Sequence, residues 1–145
     1  MKKIKINILL IILITQVLNV NIIYGQEDIT LSICSKYIKP PYVSDGQVYK
    51  ALITGDEIAE FHVTFYGGTT YRIVIASGNR EGNVVFSLYD KERNLIFTNR
   101  DHKYTPYWDF KFTSTVDCII EAELLPTARI GSGILTMLIG FQTTY

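Results

Sequence analysis

The chain has 145 residues, and its 14 Lys and Arg balance its 14 Asp and Glu. No basic excess or basic stripe is present to neutralise phosphates, which argues against nucleic acid as a partner. The size suits one domain.

The first residues point to export. Lys2, Lys3 and Lys5 form a cationic start, residues 8–14 are an unbroken aliphatic run, and Gly25 is a small residue suited to the position before a cut. This is the three-part layout of a signal peptide. A permanent anchor needs about 20 predominantly apolar residues, and Gln16, Asn19 and Asn21 interrupt the segment. A lipobox reading of Leu31-Ser32-Ile33-Cys34 fails: Ile33 is too bulky before the cysteine, and Glu27 and Asp28 separate it from the apolar run. Residues 1–25 are therefore predicted to be a leader helix, and residues 26–145 a single exported domain that is periplasmic, cell-surface or extracellular. The leader holds three lysines and no acid, so the mature domain has eleven cations against fourteen acids, a net charge of −3.

Residues 28–39 read as a short helix or an extended lead-in, ended by Pro40-Pro41. From there the periodicity is two, and successive strand side chains point to opposite faces. The apolar stripes run through Tyr49, Ala51 and Ile53; Phe61, Val63 and Phe65; Tyr71, Ile73 and Ile75; then Val84, Phe86 and Leu88. They continue through Leu95 and Phe97; Trp108, Phe110 and Phe112; and Cys118, Ile120, Ala122 and Leu124. Residues 134–141 are apolar on both faces and read as a central, doubly covered strand. Gly67-Gly68 is expected to turn a tight hairpin, and residues 90–94 a second one. Ser44-Asp45-Gly46, Gly78-Asn79 and Gly131-Ser132-Gly133 mark other reversals. About eight short strands without a long amphipathic helix predict an all-β antiparallel sandwich of jelly-roll type. An outer-membrane barrel, which the terminal Tyr145 brings to mind, needs strands of about 9–11 residues, and most runs here are shorter.

Both cysteines, Cys34 and Cys118, follow the leader. An even count in an oxidising compartment predicts a Cys34–Cys118 disulfide. The alternative is two buried thiols acting as small apolar groups.

Gly67-Gly68-Thr69-Thr70-Tyr71-Arg72-Ile73, Val84-Val85-Phe86-Ser87-Leu88-Tyr89-Asp90 and Asn94-Leu95 carry a family likeness. The stretch from Gly46 to Leu125 resembles the bacterial pre-peptidase C-terminal domain, a β-sandwich appended to many secreted enzymes. That family usually closes with a Gly-Xaa-Tyr strand, where this chain has Val116-Asp117-Cys118-Ile119-Ile120. The resemblance implies a sandwich fold and a non-catalytic accessory role.

No catalytic constellation stands above its ordinary explanation. Asp90-Lys91-Glu92-Arg93-Asn94 lacks the glycine and late glutamate of a calcium loop and reads as a solvated hairpin. Glu121 and Glu123 lie two apart on one strand face, near a glycosidase spacing, but fit a wet face. His62 and His102 have no nucleophile at a recognisable spacing. No metal site or cofactor is expected. The aromatic loop carrying Asp101, Tyr104, Tyr107 and Trp108 is the candidate ligand surface, since exposed rings beside polar groups suit sugar faces. The sequence thus reads as a non-enzymatic accessory or recognition module for an extracytoplasmic protein or glycan. Its rivals are a carbohydrate-binding module using the same loop and a small secreted hydrolase or lyase.

Overall fold

In the computed structural model, residues 28–78, 82–128 and 132–143 are described. The leader assigned to residues 1–25 lies outside them, as do Asn79, Gly131 and Tyr145. Helix α1 spans Ile29–Ser35. The strands are β1 (Tyr42–Ser44), β2 (Tyr49–Thr54), β3 (Ile58–Phe65), β4 (Thr70–Ser77), β5 (Val84–Asp90), β6 (Leu95–Thr98), β7 (Tyr107–Lys111), β8 (Val116–Leu124) and β9 (Ser132–Gln142). Short 3-10 turns cover Asn99–His102 and Pro126–Ala128.

The antiparallel pairs nest inside one another: β5 with β6, β4 with β7, β3 with β8 and β2 with β9. Lateral pairing of β4 with β9 and β5 with β8 rolls this ladder into two facing sheets, β3-β8-β5-β6 and β2-β9-β4-β7, with β1 continuing the β2 side along β9. That strand order is the jelly roll. Period-two patterning sends Phe65, Ile73, Ile75, Phe86, Leu88, Ile120, Leu135, Met137 and Ile139 into one core between the sheets. Phe110 also belongs to it, while Phe61 and Phe112 pack at its margin.

β9 is covered on both faces, as its composition requires. Its second face, with Val74 and Ala76 of β4, packs against Ile33 and Cys34 of α1. The ambiguous lead-in is thus a helix. Asp28 caps it by accepting from the Leu31 N–H at 3.1 Å, the standard use of an aspartate at that position. Asp28 also pairs with Lys50 on β2, and Thr30 and Thr136 share a hydroxyl hydrogen bond of 2.5 Å. These contacts fasten the N-terminal end of a helix too short to be stable alone.

Three expectations are corrected. Gly67-Gly68 does not close a hairpin, because β3 and β4 lie in opposite sheets. The segment crosses between them, with Gly68 at φ +84° and Gly67 so close to Ser114 that a Cβ would fall 2.7 Å from its Cα. Leu95 leaves the core because β6 carries a bulge: Phe97 pairs with Leu88 but Leu95 pairs with Tyr89, so the strand changes phase. The Cys34–Cys118 bridge is not formed; both thiols are free and buried. Cys34 lies under α1 on the outer side of one sheet, and Cys118 lies in the core between the sheets. The two clusters occupy opposite faces of the β4/β9 sheet, which separates the sulfurs.

Among the described residues no helix is long and apolar enough to cross a membrane.

Burial pushes the Cys34 thiol up to about 12 and the Cys118 thiol up to about 11, so neither supplies thiolate at neutral pH. Both should resist a thiol reagent in the native protein, and two thiols should titrate after unfolding without reductant. Finding none after unfolding would restore the bridge.

Candidate functional site

The carboxylates that spacing brings together on β8 are already matched. Glu121 faces Glu60 across the β3–β8 pair, a like-charge juxtaposition that destabilises a sheet. Arg93 resolves it from the β5–β6 hairpin, reaching Glu121 at 2.6 Å and Glu60 at 2.7 Å. The guanidinium holds the Glu60 carboxyl below its usual range. Glu123 pairs with Arg100, and His62 bonds Glu60 at 2.8 Å. Paired acids on an open sheet face lack the apolar enclosure that tunes a general acid. Among the described residues no group of three or more His, Cys, Asp or Glu side chains is placed to hold a metal ion.

The aromatic loop is divided by strand alternation. Tyr107 and Trp108 are neighbours on β7 and so point to opposite faces. Trp108 turns inward, stacking on Phe97 at 5.0 Å and meeting His102 at 4.2 Å. Tyr107 turns outward against Tyr37 at 4.8 Å. Beside it the Arg72 guanidinium lies 4.6 Å from the Tyr107 ring and 4.1 Å from the Tyr42 ring. Arg72 grips Asp109 with two bonds of 2.7 and 2.8 Å and donates to the Tyr37 carbonyl at 3.1 Å. Asp101 and Tyr104 are exposed, Tyr104 at 37%. Of the four residues read as one ligand surface, only these two remain on the open loop.

Asn99, which no motif in the sequence marks, organises that loop. It is fully buried. Its side chain accepts from the Phe86 N–H and donates to the carbonyls of Val84 and Thr105, each at 3.0 Å. Its own carbonyl accepts from the Tyr104 N–H at 3.0 Å. These bonds hold Lys103 and Tyr104 in the left-handed region, both at φ 55°, where a non-glycine residue costs about 1–2 kcal/mol. The only local cue was a small polar residue at a strand end.

A second surface gathers residues that no local motif links. Where β1 stops and β2 begins, the turn containing Asp45 and Gln47 leaves the sandwich open beside β3. The resulting cleft has a volume of about 690 Å³. Phe65, Ile139 and Phe141 give it an apolar floor, while Asp45, Tyr49 and Tyr66 supply polar rim groups. The Tyr49 hydroxyl donates to Asp45 Oδ2 at 3.3 Å, and the Tyr71 hydroxyl accepts from the Tyr66 N–H at 3.1 Å. Burial, with Asp45 adding to it, raises the Tyr49 phenol above its ordinary range. Such a floor with a few fixed polar groups is the usual make-up of a binding site.

The chain is similar in fold to PliG of Aeromonas hydrophila, a periplasmic lysozyme inhibitor of g-type lysozyme. The two are 16% identical with a TM-score of 0.51, over 66% of this chain and 85% of that one. No family model and no curated protein matches the sequence.

Three stability measurements separate structural from exposed aromatic and polar groups. Asn99→Ala leaves buried backbone groups unpaired and should cost about 2–4 kcal/mol in urea unfolding; a loss below about 1 kcal/mol would mean the loop holds itself. Tyr107→Ala removes a ring contact and a cation–π contact and should cost about 2 kcal/mol. Tyr104→Ala should stay within about 0.5 kcal/mol, and equal losses at the two tyrosines would contradict this division.

Proposed function

We propose that this chain is an exported, non-enzymatic β-sandwich module that binds a protein partner outside the cytoplasm through the cleft beside β2 and β3. The cleft carries the proposal, because it joins an apolar floor to fixed polar groups without converging acids. Export is supported by the leader pattern of residues 1–25. A protein partner is supported by the fold likeness to an inhibitor that acts on another protein. The accessory role that the pre-peptidase C-terminal resemblance implies points the same way. The Tyr104 loop is a second candidate contact, since its left-handed backbone is held rigid by Asn99; strain of this kind clusters at functional positions.

A g-type lysozyme is the defined protein with which to begin. Titration of residues 26–145 against it should give saturable one-to-one binding. Tyr66→Ala, at a ring 66% exposed on the rim, should weaken binding about tenfold without loss of folding. A parallel Tyr104→Ala series assigns the loop. Turnover of a glycan or peptide that survives repurification would overturn the non-enzymatic reading.

A further inference from the structure

We propose that the cleft receives a cationic side chain, the guanidinium of an arginine or the ammonium of a lysine, presented by the partner protein. The inference rests on the binding-module reading and names the chemistry of its contact. Asp28, Asp109, Glu121 and Glu123 each meet a lysine or arginine of this chain. Asp45, like Asp90 and Asp117, makes no ion pair among the described residues, and of these three Asp45 alone lines the cleft. Its half-buried carboxylate accepts from neutral donors, the Gln47 N–H at 2.9 Å and the Tyr49 hydroxyl at 3.3 Å.

Among the described residues no lysine or arginine lines the cleft. Its one histidine, His62, is bonded to Glu60 on the outer face of β3. Tyr49, Tyr66 and Tyr71 line the same space, and the face of an aromatic ring attracts a cation. A carboxylate within a partly desolvated aromatic wall is therefore charge-complementary to a basic side chain. Arginine fits best, because its flat guanidinium stacks on a ring while its N–H groups bond the carboxylate. The same chemistry operates inside this protein, where Arg72 lies between Tyr42 and Tyr107 and grips Asp109. There the chain supplies its own cation; at Asp45 the cation comes from outside.

The test uses end-blocked Gly-Arg-Gly, the same peptide with neutral citrulline in place of arginine, and a neutral N-acetylated oligosaccharide. Each is titrated into the exported domain while tyrosine ring resonances are followed by NMR. The arginine peptide should shift the Tyr49 and Tyr71 rings saturably, and the citrulline peptide should bind about tenfold more weakly. Asp45→Asn keeps an oxygen acceptor for the Gln47 N–H, and its amide N–H can donate to the Tyr49 hydroxyl where Oδ2 accepted, so it should retain its unfolding midpoint and lose the preference for arginine. Equal binding of arginine and citrulline, an unchanged preference in Asp45→Asn, tighter binding of the oligosaccharide, or no saturable shift would each overturn the proposal. If lysozyme binding persists unchanged in Asp45→Asn while the arginine peptide fails, the cation assignment falls and the protein-binding reading stands.

Discussion

The structure depends on strands β4 and β9 being apolar on both faces. A strand of that kind cannot lie at the surface, so each side needs a cover. The facing sheet supplies one through Phe65, Phe86, Leu88 and Ile120. The other cover is assembled from the segment before β1: Ile33 and Cys34 of α1, then Tyr37 and Ile38. Arg72 completes this layer with its stem on the sheet and its charge held between two tyrosines and Asp109. A lone cation there would be costly; bonded on every side, it ties β4, β7 and the chain after α1 together.

The two open sides of the sandwich are closed unequally. Along β6 and β7, Phe97, Trp108, Phe110 and Phe112 form a continuous run of ring contacts ending on Phe65. On the opposite side the transfer of pairing from β1 to β2 interrupts the edge, and the cleft occupies the gap. The aromatic seam and the cleft thereby lie on different edges. Residues on the aromatic seam answer to core density. Those around Asp45 are relieved of that demand.

Much of the fold was legible because alternation is a local signal. Phe61 to Phe65, Tyr71 to Ile75 and Cys118 to Leu124 each show it within a handful of residues, and the two-faced run of residues 134–141 announces a central strand. What was misread depends on distant partners. Leu95 and Phe97 share a phase in sequence, and only pairing with β5 reveals the bulge between them. Gly67-Gly68 has hairpin chemistry, but the sheet that β4 joins is chosen by β9. Two cysteines behind a leader-like segment suggest a bridge until α1 places one of them outside the sandwich. The site was the least legible part. Its walls come from the β1–β2 turn, β3, β4 and β9, so nothing in a local window joins Asp45 to Tyr71 or Phe141. The Tyr107-Trp108 dipeptide looked like a single aromatic surface for the same reason.

The nested pairing also orders the folding reaction. The β5–β6 hairpin joins residues a few positions apart, whereas each enclosing pair must close a longer loop, ending with β2 against β9. Loop-closure entropy rises with every step outward, and topologies dominated by such remote contacts fold slowly. Two of the strands that frame the cleft, β2 and β9, form that outermost pair, so their native contacts require the farthest chain search. Tyr49, Ile139 and Phe141 of the cleft thus belong to the part of the molecule with the most remote folding partners, while the hairpin carrying Arg93 is the most local unit in the ladder.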